Sequence, residues 1–306
     1  MASRWLAIDK PLFATTVVMI GLGLLMVYSS SYHESQEKYG NGTHYLFRQA
    51  IAALVGIVVM LLAMRIDYRL YQQSPFVLFA VGLTLALLVL VLIMGSGEGT
   101  RRWLSLGPLN LQPSEIAKLT TVLFLARYLS RKDGKINDWW NGLLPALAVV
   151  GSLSLLILLE PDLGTAAAVV MVAGIMLVVA GMAWRYIIGF GTLAVALAGT
   201  QIWMTGYQTR RIMAFLNPWA DQLDVGFQTV QSLIAVGTGG ITGVGLAEGK
   251  QKLSFLPEPH TDFIYAVLGE EFGYIAAIVL IGLYVFICWR GLRAASRVRD
   301  PYPRAA

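Results

Sequence analysis

The sequence is short of charge and nearly free of cysteine. Only 13% of its 306 residues are Asp, Glu, Lys or Arg, about half of the ~25% that is typical of soluble globular proteins. Hydrophobic residues make up 57% of the chain and the mean hydropathy is +0.65, which excludes soluble globular and disordered chains. The single cysteine, Cys288, excludes an intramolecular disulfide and a metal site built on several cysteines.

Long apolar runs are what the sequence does contain. A membrane-spanning helix needs about 20 apolar residues, and eight runs are of suitable length. They occupy residues 11–31, 46–64, 75–95, 114–130, 142–160, 163–183, 186–205 and 262–289. The sequence therefore predicts an all-α polytopic membrane protein with about eight transmembrane helices, in one integral membrane domain over residues 1–306. The first run lacks a small-residue cleavage site, so we expect an uncleaved helix rather than a signal peptide.

The distribution of Lys and Arg predicts the orientation of these helices. With the N-terminus in the cytoplasm, 14 of the 23 basic residues fall on the cytoplasmic side, eight fall outside and Lys118 lies within a span. Both termini are then cytoplasmic, residues 206–261 form a large extracytoplasmic loop, and residues 290–306 form a basic cytoplasmic tail. The net charge of +5 is scattered between the spans, which does not indicate nucleic-acid binding.

The loop over residues 206–261 is far longer than ordinary loops, so we expect it to be functional. Residues 230–236 have the pattern of a short amphipathic helix at the membrane interface. Residues 237–249 are rich in glycine, but Val244 and Gln251 stand where a phosphate-binding P-loop needs Gly and Ser or Thr. This segment therefore predicts a flexible or tightly turning loop that lets the backbone approach a ligand.

The fourth apolar run opens with two charged residues, and charges within a span are costly and usually functional. Glu115 and Lys118 are three residues apart and share a helix face, so they can form an ion pair. One interpretation is a structural pair that locks two helices. The other is a cation directed at an anionic ligand just below the outer surface. Arg102, upstream on the same side and next to Trp103, suits either a lipid phosphate or simple interfacial anchoring.

Residues 160–165 separate the fifth and sixth runs. Pro161 and Gly164 predict a tight turn there. Glu160 and Asp162 flank the proline, and the sequence leaves open whether these two carboxylates also take part in chemistry.

Residues 256–265, at the outer end of the last run, are the segment that most strongly indicates a catalytic site. Asp262 stands in a predicted first helical turn capped by Thr261, where the helix dipole stabilises a carboxylate. It also stands beside His260 and below a long loop, which suits a general base. His260, Asp262 and Glu258 together offer ligands for a divalent cation such as Mg²⁺ or Mn²⁺, with a spacing that is weakly specific. The sequence contains no haem, zinc or Ser-His-Asp pattern.

Several of these segments occur together, in order along nearly the whole chain. They are Tyr28-Ser29-Ser30-Ser31, Arg102-Trp103, Gln112-Pro113-Ser114-Glu115 with Lys118, Pro161-Asp162-Leu163-Gly164-Thr165, Gln231-Ser232-Leu233-Ile234-Ala235 and Pro257-Glu258-Pro259-His260-Thr261-Asp262-Phe263-Ile264. This combination resembles the SEDS family (shape, elongation, division and sporulation). Arg210-Arg211 and residues 249–253 are similar to the division and sporulation members more than to the elongation member. Family members normally have ten spans, whereas this sequence holds eight.

The resemblance implies a bacterial peptidoglycan glycosyltransferase that polymerises lipid II into glycan strands during septal wall synthesis. It implies a location in the inner membrane at the division septum. The implied partners are membrane lipids, a class B penicillin-binding protein and other divisome proteins. By this resemblance Asp262 is the catalytic residue, and Arg102 and Lys118 belong to the substrate site. Further candidates for substrate binding are Glu115, Arg210, Arg211 and His260.

Two other functions stay open from the sequence alone. A lipid II flippase or transporter would bury charge at the membrane midplane and contain paired broken helices, whereas these charges cluster toward one face. A non-catalytic scaffold that recruits the penicillin-binding protein would leave Asp262 replaceable.

Overall fold

A computed structural model of the chain describes residues 9–71, 73–95, 102–106, 109–132, 135–204, 206–222, 224, 226–253, 255–256 and 259–297. The chain divides into two compact units. Unit 1 consists of Met1–Val58 and Val195–Leu292, and unit 2 consists of Val59–Ala194 and Arg293–Ala306.

Helices make up most of both units. The helices are α1 (Lys10–Tyr39), α2 (His44–Ala63), α3 (Tyr68–Tyr71), α4 (Ser74–Met94), α5 (Pro113–Arg131), α6 (Leu144–Leu159), α7 (Leu163–Val179), α8 (Trp184–Met204), α9 (Gly206–Leu216), α10 (Phe227–Gly239) and α11 (Ile264–Arg297). A π-helical turn (Trp139–Leu143) leads into α6, and a 3-10 turn (Pro218–Ala220) follows α9. Strands β1 (Leu104–Leu106) and β2 (Leu109–Leu111) pair antiparallel, with Leu104 opposite Leu111.

The eight predicted apolar runs all form helices. Five helical segments are long and apolar enough to cross a membrane, namely Lys10–Tyr39, His44–Ala63, Ser74–Met94, Trp139–Leu159 and Ile264–Ser296, and Leu163–Val179 is a shorter apolar helix. Helix α5 carries four charged residues among its 19, which sets it apart from the apolar spans. The prediction of an all-α polytopic membrane protein is confirmed, and the predicted short helix at residues 230–236 lies within α10.

Unit 2 is built on the packing of α4, α5, α6 and α7. Leu88, Leu125, Leu153, Ile157 and Val169 are fully buried at its centre. A hydrogen bond of 2.8 Å between the hydroxyls of Thr84 and Thr120 joins α4 to α5, and such bonds stabilise helix pairs in a membrane. Many large apolar side chains on the same helices are exposed, as expected of surfaces that face lipid.

Unit 1 places α1 against α10 and α11. Its core contains Met26 of α1, Ala235 of α10 and Val267 of α11, together with Leu256 from the preceding loop. Asp9 caps α1 by accepting a hydrogen bond from the backbone N–H of Leu12 at 3.1 Å. Arg290 near the end of α11 binds the same carboxylate at 2.7 Å, so the start of α1 and the end of α11 are held together.

Helix α11 is interrupted at Gly273, whose φ of 76° and ψ of −176° are not helical. Residues on both sides of the interruption bond to the glycine-rich segment that follows α10. Backbone N–H groups of Val244 and Gly245 donate to the carbonyls of Glu270 and Glu271, and those of Tyr274 and Ile275 donate to the carbonyls of Gly240 and Ile241. These bonds satisfy backbone groups that the broken helix cannot pair internally.

The glycines of this segment allow it to approach the α11 backbone closely. A Cβ at Gly243 would lie 2.1 Å from the carbonyl oxygen of Glu271, and one at Gly239 would lie 2.0 Å from that of Gly269. The close approach that these glycines allow is to α11, and the predicted approach to a ligand stays a prediction.

Candidate active site

Asp262 lies in a turn of unit 1 that leads into α11. The helix begins at Ile264, so the expectation that Asp262 occupies its first turn is wrong, and Thr261 lies three residues before the helix. The Asp262 side chain is exposed. No hydrogen bond or ion pair joins it to another residue that the structure describes, so the helix-cap interpretation has no contact to support it.

His260, two residues earlier, is held by residues of α1 and α2. Its Nδ1 lies 3.1 Å from Oε2 of Glu34, and its ring centroid lies 4.5 Å from that of Tyr45. Oε1 of Glu34 accepts a hydrogen bond of 2.6 Å from Nζ of Lys38. The position of the turn that carries Asp262 is therefore tied to α1 through one carboxylate. Sequence reasoning did not identify Glu34, because 226 positions separate it from its histidine partner.

The divalent-cation site expected at this turn stays a prediction, because only part of its ligand set lies among the described residues. Glu258, one of the three proposed ligands, lies outside them. Across the described part of the chain, no group of three or more His, Cys, Asp or Glu side chains is arranged to hold a metal ion.

In unit 2, Glu115 and Lys118 form the predicted ion pair. Nζ of Lys118 lies 2.8 Å from Oε1 of Glu115 on the first turns of α5. The Lys118 side chain is 36% exposed and that of Glu115 is 56% exposed, and exposed pairs of this kind contribute little to stability. Lys118 therefore remains accessible to an anionic ligand.

Arg102 contacts the turn between α6 and α7. Its Nε donates to the carbonyl oxygen of Glu160 at 3.1 Å, and its guanidinium also donates to the carbonyl oxygen of Pro161. The turn itself is the one predicted at residues 160–165. Asp162 caps α7 by accepting hydrogen bonds from the backbone N–H and the hydroxyl of Thr165, and Gln112 donates to the same carboxylate at 3.1 Å.

Glu160, at the end of α6, is fully buried, and neither of its carboxyl oxygens has a hydrogen-bond partner among the described residues. Burial and, to a smaller extent, the negative charge of Asp162 together raise the pKa of Glu160 to about 7, and the positive charge of Arg102 opposes the shift. Buried carboxyl groups normally have hydrogen-bond partners. The sequence indicated a turn here but not that one of its two carboxylates is buried.

The remaining predicted substrate-binding residues lie in α9. Arg210 is exposed on this helix, and the side chain of Arg211 lies outside the described residues. Helix α9 belongs to unit 1.

A buried charged cluster in unit 1 was not predicted at all. Nζ of Lys252 donates to Oε1 of Glu271 at 2.5 Å and to the hydroxyl of Ser29 at 2.9 Å. Glu270 accepts a hydrogen bond of 2.8 Å from the backbone N–H of Lys250. The sequence feature that could have indicated this cluster is the pair Glu270 and Glu271 within the last apolar run, since charged residues within a span usually have a partner.

The chain matches the profile of the FtsW, RodA and SpoVE family, described as cell cycle proteins, over residues 10–305. It is 38% identical over 302 residues to the probable peptidoglycan glycosyltransferase FtsW of Geobacter sulfurreducens, covering 97% of this chain and 80% of that protein. It is 37% identical over 305 residues to the stage V sporulation protein E of Bacillus subtilis, covering 99% of this chain and 83% of that protein.

Solved structures with the same fold include a chain of a peptidoglycan synthase complex that coordinates polymerization and crosslinking. Its TM-score is 0.75 at 30% identity, and the match covers 98% of this chain and 82% of that chain. The rod shape determining protein RodA of Thermus thermophilus matches with a TM-score of 0.67 at 27% identity, over 99% of this chain and 80% of that chain.

Proposed function

The chain belongs to the FtsW, RodA and SpoVE family of cell cycle proteins, and we propose that it is a peptidoglycan glycosyltransferase that polymerises lipid II into glycan strands during cell division. Its relatives named as glycosyltransferases are 38% to 41% identical to it over 297 to 302 aligned residues. The observation that carries the catalytic assignment is the exposed carboxylate of Asp262, beside a histidine held from a neighbouring helix.

Asp262 acts as the general base in this proposal. The 4-hydroxyl oxygen of the acceptor sugar forms a bond to C1 of the donor sugar, and the bond from C1 to the pyrophosphate oxygen breaks. The hydroxyl proton passes to the Asp262 carboxylate. The lipid-linked pyrophosphate leaves with the electron pair. With an α-linked donor and a β-linked product, one displacement with inversion suffices and no covalent nucleophile is required.

Lys118 and Arg102 supply positive charge for the leaving pyrophosphate. Charge-assisted hydrogen bonds to phosphate are strong and directional, and stabilising a leaving anion lowers the barrier to transfer. Lys118 can exchange its exposed contact with Glu115 for a phosphate oxygen. Arg102 already bonds to the turn carbonyls of Glu160 and Pro161, so it both shapes this turn and offers its remaining donors.

The proposed setting is the inner membrane at the division septum, with a class B penicillin-binding protein and other divisome proteins as partners. A matched solved structure is part of a complex that couples polymerization to crosslinking, which supports such a partner. We place both termini in the cytoplasm and residues 206–261 outside, following the distribution of basic residues. A reporter that is active only outside the cytoplasm, fused after Ala247, tests this orientation. An inactive reporter would show that the orientation is the opposite one.

A lipid II transporter is the second candidate, and the interruption of α11 favours it. Broken helices and buried charges are typical of transporters, and α11 combines a non-helical Gly273 with the buried Glu271 and its partner Lys252. Among the helices that the structure describes, α11 alone contains such an interruption, whereas transporter sites are typically formed by a pair of them.

One experiment distinguishes the glycosyltransferase from the transporter. The purified chain is placed in liposomes with fluorescent lipid II, with and without its penicillin-binding protein partner. Glycan length is measured on gels, and translocation is measured by quenching of outer-leaflet fluorescence. Glycan strands without accelerated translocation support the glycosyltransferase. If lipid II translocation is accelerated and no glycan strands form in the presence of the partner, the chain is a transporter and the glycosyltransferase proposal is wrong.

A further inference from the structure

A small cavity in unit 2 lies between the start of α4 and the end of α5, and neither Arg102 nor Lys118 lines it. Its volume is about 210 Å³. The apolar part is formed by Val77, Leu78 and Phe124, and the polar part by Ser74, Arg131 and Lys132. The cavity therefore has an apolar wall beside a basic rim, at the end of the helix that the charge distribution predicts to be cytoplasmic.

The basic residues of this rim contact polar and aromatic groups of α4 and α5. Ser74 accepts hydrogen bonds from Arg127 and, at 3.4 Å, from Arg131. Nζ of Lys132 lies 5.9 Å from the ring centroid of Tyr128, which in turn donates to the carbonyl oxygen of Gly142 at 2.7 Å.

Positive charge exceeds negative charge in this part of the chain. Residues 127–138 contain two arginines, two lysines and two aspartates. One of these aspartates, Asp138, bonds to the residues of its own turn, accepting from Trp140 and Asn141. A site with excess positive charge beside an apolar wall is complementary to a molecule with an anionic head and an apolar chain.

We propose that this cavity binds an anionic phospholipid such as phosphatidylglycerol. The phosphate lies against Arg131 and Lys132, and one acyl chain lies along Leu78 and Phe124. Basic pockets between transmembrane helices on the cytoplasmic side bind anionic head groups in this way. The residues that line the cavity include none of the proposed catalytic or substrate-binding residues, and the proposal does not depend on the proposed function.

Binding is measured by native mass spectrometry of the purified chain in a non-ionic detergent, with dioleoyl phosphatidylglycerol as the probe and dioleoyl phosphatidylcholine as the reference. The double variant Arg131→Gln, Lys132→Gln is expected to bind phosphatidylglycerol roughly tenfold more weakly, since each basic residue contributes to the attraction. Arg185→Gln is the matched control, because Arg185 stacks on Tyr186 and does not line the cavity. It is expected to retain wild-type binding.

A second variant tests the cavity without changing any charge. Leu78→Trp fills the apolar part, and we expect it to weaken phosphatidylglycerol binding severalfold while the basic rim stays intact. Equal losses in the double variant and in Arg185→Gln would show general surface attraction and overturn the proposal. Competition by free glycerol phosphate at the lipid's own concentration would also overturn it, since the acyl chain would then contribute nothing.

Discussion

Lys252 and Glu271 form an ion pair inside unit 1, with Nζ and Oε1 2.5 Å apart and side-chain exposures of 7% and 0%. The hydroxyl of Ser29 donates to the same carboxylate at 2.6 Å. The cluster joins the loop before α11, α11 itself and α1. Because ions are costly to bury, removal of one partner leaves an uncompensated charge.

Glu271→Ala is therefore expected to destabilise the protein by about 3–5 kcal/mol, the usual cost of leaving one member of a buried pair alone. Glu271→Ala combined with Lys252→Met is expected to cost less, because neither charge remains buried. Unfolding in a mild detergent measures both, with Glu248→Ala as a control at an exposed position of the same loop. A double variant less stable than Glu271→Ala would contradict this account.

Asp262→Asn is expected to abolish glycan polymerisation while membrane insertion and partner binding persist. Asparagine keeps the size of the side chain but cannot take up the proton of the acceptor hydroxyl, and a positioned base typically contributes 10²–10⁴-fold. The assay is polymerisation of labelled lipid II, with Asp221→Asn as the control, since Asp221 is also an exposed carboxylate of residues 206–261. Polymerisation by Asp262→Asn at more than about a tenth of the wild-type rate would contradict the assignment of Asp262 as the general base.

Glu34→Ala is expected to lower the polymerisation rate severalfold without changing the melting temperature. Glu34 holds His260 at 3.1 Å, so its loss frees the turn that carries Asp262. Glu34→Gln is expected to retain more activity, because it keeps the size of the side chain and its amide oxygen can still accept the hydrogen bond from Lys38. Glu37→Ala serves as the control, since Glu37 pairs with the exposed His33. Equal rates in the Glu34→Ala and Glu37→Ala variants would show that Glu34 has no positioning role.

Lys118→Gln is expected to weaken the use of lipid II by about 1–2 kcal/mol, or roughly tenfold in kcat/KM, with unchanged stability. Its ion pair with Glu115 is exposed, so the loss should appear in catalysis and not in folding. Lys135→Gln, an exposed lysine beyond the end of α5, is the control. Normal kcat/KM in Lys118→Gln would favour the structural-pair interpretation.

The buried Glu160 predicts a pH dependence of stability. Its pKa in the folded protein is raised from 4.5 to about 7, so between these values the folded state holds a proton that the unfolded state releases. The contribution of Glu160 to the free energy of unfolding is therefore largest below about pH 4.5. The free energy of unfolding falls by up to about 3 kcal/mol as the pH rises through 7. Unfolding in detergent at pH 5 and pH 8 measures this difference. Glu160→Gln should remove this difference in stability, whereas Glu115→Gln should keep it. If the difference is unchanged in Glu160→Gln, the Glu160 carboxyl is not its cause.

The apolar runs alone determined the fold class, because a chain in lipid must satisfy its backbone hydrogen bonds within each span and the helix does so locally. The same locality made the Glu115–Lys118 pair predictable, since residues three apart on a helix are neighbours whatever surrounds them. The turn at residues 160–165 also follows from its own Pro and Gly. For this pair and this turn, the information lies within one or two helical turns of sequence.

Only the tertiary structure decided the contacts between residues that lie far apart in sequence. Ser29 meets Glu271 across 242 positions, Glu34 meets His260 across 226, and no local pattern specifies either pair. The interruption of α11 at Gly273 depends likewise on the glycine-rich segment that bonds to its backbone on both sides. A buried charge is stable only where packing brings a partner to it, and packing places that partner through the fold of the whole unit.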